Sequence, residues 1–264
     1  MVALGDEVGC RRASEAQIVM QVSLVAHYCK KPQNLVAIVQ HLQGRLSDLM
    51  GPAFRPYGID QVHGTVIALE GCRLGRNLRN QNSGLFMNLV GLVDFLRSPR
   101  FASIRVQVGG YESSGDYPFR SRNIHPYLRS FSIQGNIAVA MGWPVQAGDF
   151  PNSLDRLRRG FQEFGVRHKW HRMDADVDND FYFVLGKLDH GTVERTALES
   201  STEIVRAELA SYGPTDVEIN RDTVRFVGYS DPQLPQQTTC WYELDEPDLA
   251  VRIEELYPNC NSVQ

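Results

Sequence analysis

Gln61-Val62-His63-Gly64-Thr65-Val66-Ile67-Ala68-Leu69-Glu70 is the stretch on which the fold of this chain turns. Its apolar, β-branched run predicts a strand. On a strand, residues two apart share a face, so His63 and Thr65 present an imidazole and a hydroxyl side by side while their neighbours point inward. Such a pair suits the handling of a phosphate. The word His-Gly-Thr-Val returns, letter for letter, at His190 to Val193.

Upstream, residues 17–28 read as a strand, and Pro32 suits the first turn of a helix. Leu35, Ile38, Leu42, Leu46 and Leu49 then recur at helical spacing up to Gly51-Pro52. Downstream, residues 71–83 carry Gly and Asn and predict a loop. Residues 85–96 predict a buried helix that ends before Pro99, and residues 104–108 a strand.

The second half repeats the order of the first. Residues 131–145 predict a strand or hairpin, 154–164 a helix capped by Asn152 or Ser153, and 181–188 a strand. A helix over 193–209 stops at Gly213-Pro214, and 217–219, 223–229 and 239–244 supply closing strands. The expected fold is α+β, with two pseudo-symmetric β-α-β-α-β lobes of mainly antiparallel sheet flanking a central cleft. The expected division is a flexible tail (1–16), a first lobe (17–110), a connecting loop (111–130), a second lobe (131–250) and a C-terminal tail (251–264), all within one bilobal domain.

With 264 residues, 42% hydrophobic and 22% charged, the composition is that of a globular protein large enough to bury a core. A formal net charge of -4 argues against a chain-wide nucleic-acid field, and no DNA duplex is expected as a partner. Cys10, Cys29, Cys72, Cys240 and Cys260 are scattered and never in Cys-x-x-Cys spacing, which predicts reduced thiols in a cytoplasmic protein. No apolar run has the length of a membrane span, and no leader pattern opens the chain. The oligomeric state is not legible.

From about residue 17 to 244 the chain resembles the two-histidine phosphoesterase superfamily, which includes RNA 2′,3′-cyclic phosphodiesterases and RNA-ligase-like proteins. The resemblance rests on His63-Gly64-Thr65, which opens an apolar strand after a strand-helix unit, and on the closing pattern of residues 224–229, Ser230-Asp231, a loop and Trp241-Tyr242-Glu243-Leu244. Members carry two His-x-Thr/Ser motifs, one per lobe, facing each other across a cleft. Superposing the two halves by element order puts Asp180 and Tyr182 opposite the first motif. His190 and Thr192 fall after that strand, so the second motif is either displaced or lost.

The resemblance implies a metal-independent phosphodiesterase acting on a cyclic or 2′,5′-linked phosphodiester of a nucleotide or RNA, with no cofactor. Two imidazoles exchange acid and base roles near neutral pH, and threonine hydroxyls donate to the phosphate oxygens. His63, Thr65, His190 and Thr192 are the candidate catalytic residues. Thr192 is equally placed to cap the following helix. The alternative reading is a non-catalytic descendant that binds a nucleotide, an RNA end or a protein partner in the same cleft.

Two further clusters combine rings and cations. The central loop holds Arg120, Arg122, His125, Tyr127 and Arg129, and the segment VRHKWHRM holds His168, Trp170 and His171 among Arg167, Lys169 and Arg172. Such mixtures stack bases and hold phosphates, or form an ordinary polar helix end and turn. Arg129, His125, Tyr127, His171 and Tyr182 are the candidate substrate-binding residues. Asp174, Asp176, Asp178 and Asp180 mimic a calcium loop but lack the glutamate at position twelve, where Leu185 stands, so no metal site is expected.

Overall fold

The computed structural model describes residues 20–189 and 194–260. The fold is mixed α and β, with every strand pair antiparallel among the described residues. Strand β1 (Gln21–Ala26) leads into helix α1 (Gln33–Met50), and a short β2 (Phe54–Pro56) precedes β3 (Gly64–Ala68). A hairpin of β4 (Gly71–Leu74) and β5 (Asn77–Asn80) occupies the segment expected as a loop, with Gly75 at φ 64° making its turn. Helix α2 (Leu89–Arg97) and β6 (Ile104–Val108) complete the first half.

The central segment ends in a short α3 (Pro126–Ser130), followed by β7 (Phe131–Gln134), β8 (Ile137–Pro144), α4 (Ser153–Gly160) and β9 (Phe181–Leu188). Helix α5 (Arg195–Tyr212), β10 (Thr215–Ile219), β11 (Val224–Tyr229), β12 (Cys240–Glu243) and α6 (Leu249–Glu254) close the chain. Apart from β4 and β5, the strands form one 10-stranded sheet whose path runs β10-β6-β8-β9-β3-β1-β11-β12, with β2 on β9 and β7 on β8.

That order forces curvature. Flat, β10 and β11 would lie six strand spacings apart, on the order of 29 Å. Yet Thr223 and Val224 both donate to the Asn220 carbonyl in the turn that joins them. The sheet therefore bends round to bring β10 near β11.

One face of the sheet carries the main core. Leu35, Ile38, Leu42 and Leu46 of α1, Leu92 and Leu96 of α2, and Val205 and Leu209 of α5 bury against Val66, Phe181 and Phe183. The α1 spacing read from the sequence is the face it buries, and Gly51 ends it at φ 54°. The opposite face carries two smaller clusters. Val25, Tyr28, Val227 and Leu234 form one at β1 and β11; Tyr111, Val139, Met141 and Trp143 form the other at β8.

Two expectations are corrected at the C-terminal end. Within the expected C-terminal tail, residues 251–260 are packed onto the protein: Ile253 and Tyr257 are buried in the main core, and the Tyr257 hydroxyl donates to Leu69 O at 2.9 Å. Nor are all the thiols reduced. Cys72 on β4 and Cys260 form a disulfide with Cα atoms 4.9 Å apart, while Cys29 keeps its thiol. A separation of 188 residues hid this pair from any spacing rule. No helix of the described residues is long and apolar enough to cross a membrane. The expected tail over 1–16 lies outside the described residues.

Candidate functional site

The site is built on the seam between β3 and β9. Gly64 pairs with Phe183, and continuing that register sets Thr65 opposite Tyr182 and His63 opposite Val184. Gly64 faces the core, where a Cβ would stand 2.1 Å from the Phe181 ring. The glycine of the His-Gly-Thr word is thus a packing requirement. His63, Thr65 and Tyr182 share the other face, between the two small clusters, and all three are half-buried.

His63 is oriented by its backbone neighbour. Its Nδ1 lies 2.7 Å from Gln61 O, an acceptor, so Nδ1 carries the proton and donates. Nε2 is left as a lone pair with no partner among the described residues. The ring packs T-shaped with Tyr28, the centroids 5.9 Å apart. Burial lowers the His63 pKa to about 4; the Gln61 carbonyl opposes this and the Lys31 ammonium adds to it. At neutral pH the ring is therefore a neutral base. Lys31, whose Nζ donates to Asp60 O at 3.3 Å, is itself lowered to about 8, chiefly by burial.

The position that element order matched to His63 is Asp180, and it is fully occupied. Its Oδ1 accepts from Ser121 Oγ and Trp143 Nε1, each at 2.7 Å, and its Oδ2 from Arg129 at 2.8 Å. Arg129 is thereby a partner of Asp180 and Ser121 rather than a free cation at a cleft mouth. His125 and Tyr127 are likewise engaged within the protein. His125 Nδ1 accepts from the Tyr127 N–H at the start of α3, its Nε2 lies 2.9 Å from Gly115 O, and the buried Tyr127 hydroxyl donates to Glu203 at 2.6 Å. Arg129, His125 and Tyr127, expected against substrate, are thus each bonded to partners within the protein. His190 and Thr192 lie outside the described residues, and the N-cap position of α5 is Glu194.

Sequence reading missed Arg158, a fully buried arginine of α4. Its guanidinium donates to Val66 O, Asp178 O, Asp180 O and Thr65 O at 2.8 to 3.2 Å, clamping β3 to the start of β9. Its one signal was a basic residue in LDRLRRG, indistinguishable there from its neighbours. Next to it His168 Nε2 meets Asp178 Oδ2 at 2.6 Å and His171 Nε2 meets Asp155 Oδ1 at 2.9 Å. Burial lowers both histidines despite these carboxylates, so each is a neutral donor. Burial works against the Asp178 carboxylate, but the His168 bond and the Arg158 charge outweigh it and hold its pKa well below the usual range. His171, expected against substrate, is one of these buried pairs. The aspartate run forms no metal cluster among the described residues. The α4 cap also differs from expectation: Asn179 Oδ1, from across the site, accepts from Leu154 N and Asp155 N, while the Asn152 side chain makes no cap bond.

No family model matches the sequence, and no curated protein sequence matches it. Two solved structures are similar in outline. TT0787 of Thermus thermophilus is 13% identical, with a TM-score of 0.39 over 84% of this chain and 93% of that one. The conserved protein of unknown function ATU0111 from Agrobacterium tumefaciens is 14% identical, with a TM-score of 0.44 over 86% and 90%.

Proposed function

We propose that the chain is a two-lobed relative of the two-histidine phosphoesterases that takes a cyclic or 2′,5′-linked phosphodiester of a nucleotide or RNA end at His63 and Thr65. The two lobes would be the strand-helix repeats on either side of the β3–β9 seam, in a cytoplasmic protein. The observation that supports this most is the pinned imidazole: Nδ1 committed to Gln61 O, Nε2 bare, and Thr65 and Tyr182 hydroxyls on the same face.

In the hydrolytic form of this reading, His63 Nε2 takes a proton from water as its oxygen attacks phosphorus. Thr65 and Tyr182 hydroxyls donate to the non-bridging oxygens as charge builds. The P–O bond to the ribose breaks, and the leaving oxygen takes a proton from a second acid, the part assigned to His190 beside Thr192. The second reading, binding without turnover, is favoured by Asp180, which holds the opposing position with its oxygens already bonded.

The deciding experiment incubates the protein, His63→Ala and His190→Ala with 2′,3′-cyclic nucleotides and short 2′,5′- and 3′,5′-linked RNAs in EDTA. Turnover lost in both variants supports the two-histidine enzyme. Binding that needs His63 without turnover supports the second reading, and neither binding nor turnover across the panel sinks both. Where turnover is found, kcat/KM should stay high down to about pH 4 on its acid side, because that is where free His63 gains its proton. An acid limb near 6.5 would mean another base.

A further inference from the structure

A recess of about 530 Å³ opens at the N-terminal end of β9. Phe119 and Trp143 line it with Asp178, and Arg122 and Trp170 stand at its rim. Arg158 binds the carbonyls of both Thr65 and Asp180, so this recess and the His63 face share one seam.

Three features mark it as a site. Asp178 is 5% exposed, and its Oδ2 is taken by His168, yet its buried Oδ1 has no hydrogen-bond partner. Arg122 forms only a loose ion pair with that oxygen, at 3.9 Å, and a second with Asp180 Oδ2 at 3.7 Å. Next, the Arg122 guanidinium lies over the Trp170 ring, 4.6 Å from its centroid, a layered plane 44% exposed on its arginine side. Finally, Arg122 and Asn123 hold left-handed backbone, φ 49° and 65°, in a tight turn closed by reciprocal Ser121–Ile124 hydrogen bonds, while Ser121 is tied to Asp180. Strained backbone of this kind is maintained where a side chain must be aimed.

The chemistry narrows the ligand. A bare carboxylate oxygen accepts only, so it wants an N–H or O–H donor. A cationic donor is opposed by Arg122, and by Lys169 and Arg172 around Trp170. A lone phosphate is opposed by Asp178 itself. A neutral flat ring with an N–H at its edge satisfies all three.

We propose that this recess is a nucleobase subsite selective for bases with an exocyclic amino group. The amino group donates to Asp178 Oδ1, and the ring stacks on the Arg122–Trp170 layer. Uracil is disfavoured, because its carbonyl oxygens flank its N–H and would be set against the same carboxylate. The proposal rests on the nucleotide-binding reading above and names the base that the substrate carries.

The test titrates adenosine, cytidine and uridine, which carry no phosphate, into the protein and into Trp170→Ala, Arg122→Ala, Asp178→Asn and His63→Ala by calorimetry. Adenosine and cytidine should bind about tenfold or more tightly than uridine, and Trp170→Ala and Arg122→Ala should each weaken them roughly tenfold. His63→Ala should leave nucleoside binding unchanged. Asp178→Asn, if folded, should erase the preference over uridine; if it does not fold, the Trp170 and Arg122 variants decide. Uridine binding as tightly as adenosine, no nucleoside binding, or binding indifferent to both rim variants overturns the subsite. If the subsite fails in this way while a cyclic nucleotide still depends on His63, the His63 reading stands alone. If nucleosides bind through Trp170 and nothing depends on His63, the reverse holds.

Discussion

Gly64 is the residue where the sequence and the packing meet most tightly. The Phe181 ring fills the place of a Cβ, so Gly64→Ala must move the ring or part the strands. Overpacking of this kind should cost about 1–3 kcal/mol. A urea midpoint unchanged by Gly64→Ala would mean that β3 and β9 do not meet in this register. Thr65→Val, on the open face, should leave the midpoint nearly unchanged and weaken the phosphate ligand instead. His27 makes a second prediction at this scale. It is 1% exposed with both ring nitrogens unpartnered, and burial, reinforced by Lys31 and Arg225, lowers its pKa to about 4. The unfolded histidine takes a proton below about 6.5, whereas the folded one resists to about 4. Stability is therefore fully present above about pH 6.5 and lost as pH falls towards 4, by about 3 kcal/mol for this residue. His27→Asn, which keeps the left-handed backbone at φ 64° accessible, should make that acid limb shallower in denaturant melts, with His63 supplying part of what remains. An unchanged limb would place the titration elsewhere.

Among the elements, α4 does more than cover the sheet. It delivers Arg158 to the carbonyls of Thr65 and Val66 on one side and of Asp178 and Asp180 on the other, so one side chain sets the spacing of the site. Arg158→Met leaves those carbonyls and the Asp178 carboxylate without their donor and should destabilise by about 3–5 kcal/mol. Arg158→Lys should recover little, because an ammonium cannot match a planar fork spread over four acceptors. A lysine variant as stable as the parent would show that charge alone is what matters there. Element order and type were legible from periodicity and stop signals, as α1 and its Gly51 end show. The β4–β5 hairpin was not, because two four-residue strands carrying Gly, Arg and Asn have the composition of a loop. The partners of His171, Arg129, His125 and Tyr127 were hidden for a related reason. Polar side chains that satisfy one another inside a fold look, letter by letter, like polar side chains awaiting a ligand.

The whole molecule is held together by closure. The sheet bends until β10 and β11 meet in one turn, and the Cys72–Cys260 disulfide ties the β4–β5 hairpin to the segment after α6. A loop of 188 residues is long, and loop closure alone sets the stabilisation at about 2–5 kcal/mol. Reduction with dithiothreitol, or Cys260→Ser, should lower Tm by several degrees, with Cys29→Ser as a control that leaves it unchanged. Equal melting in oxidised and reduced protein, with the bridge verified by alkylation and mass, would count against a stabilising role.

By itself the sequence determined the alternation of strands and helices, the faces that α1 and β3 bury, and the placing of His63 and Thr65 on one side of a strand. Each follows from a period of about 3.6 or 2 and needs no distant partner. Tertiary structure alone decided which cysteines meet, that Asp180 is spent on Ser121, Trp143 and Arg129, that Arg158 clamps β3 to the start of β9, and that one buried oxygen of Asp178, beside a recess, has no hydrogen bond. Those facts depend on residues up to 188 positions apart finding one another. For the opening word His63-Gly64-Thr65, this divides the parts: the strand and its open face are local, while what stands opposite is set by how β9 packs against it.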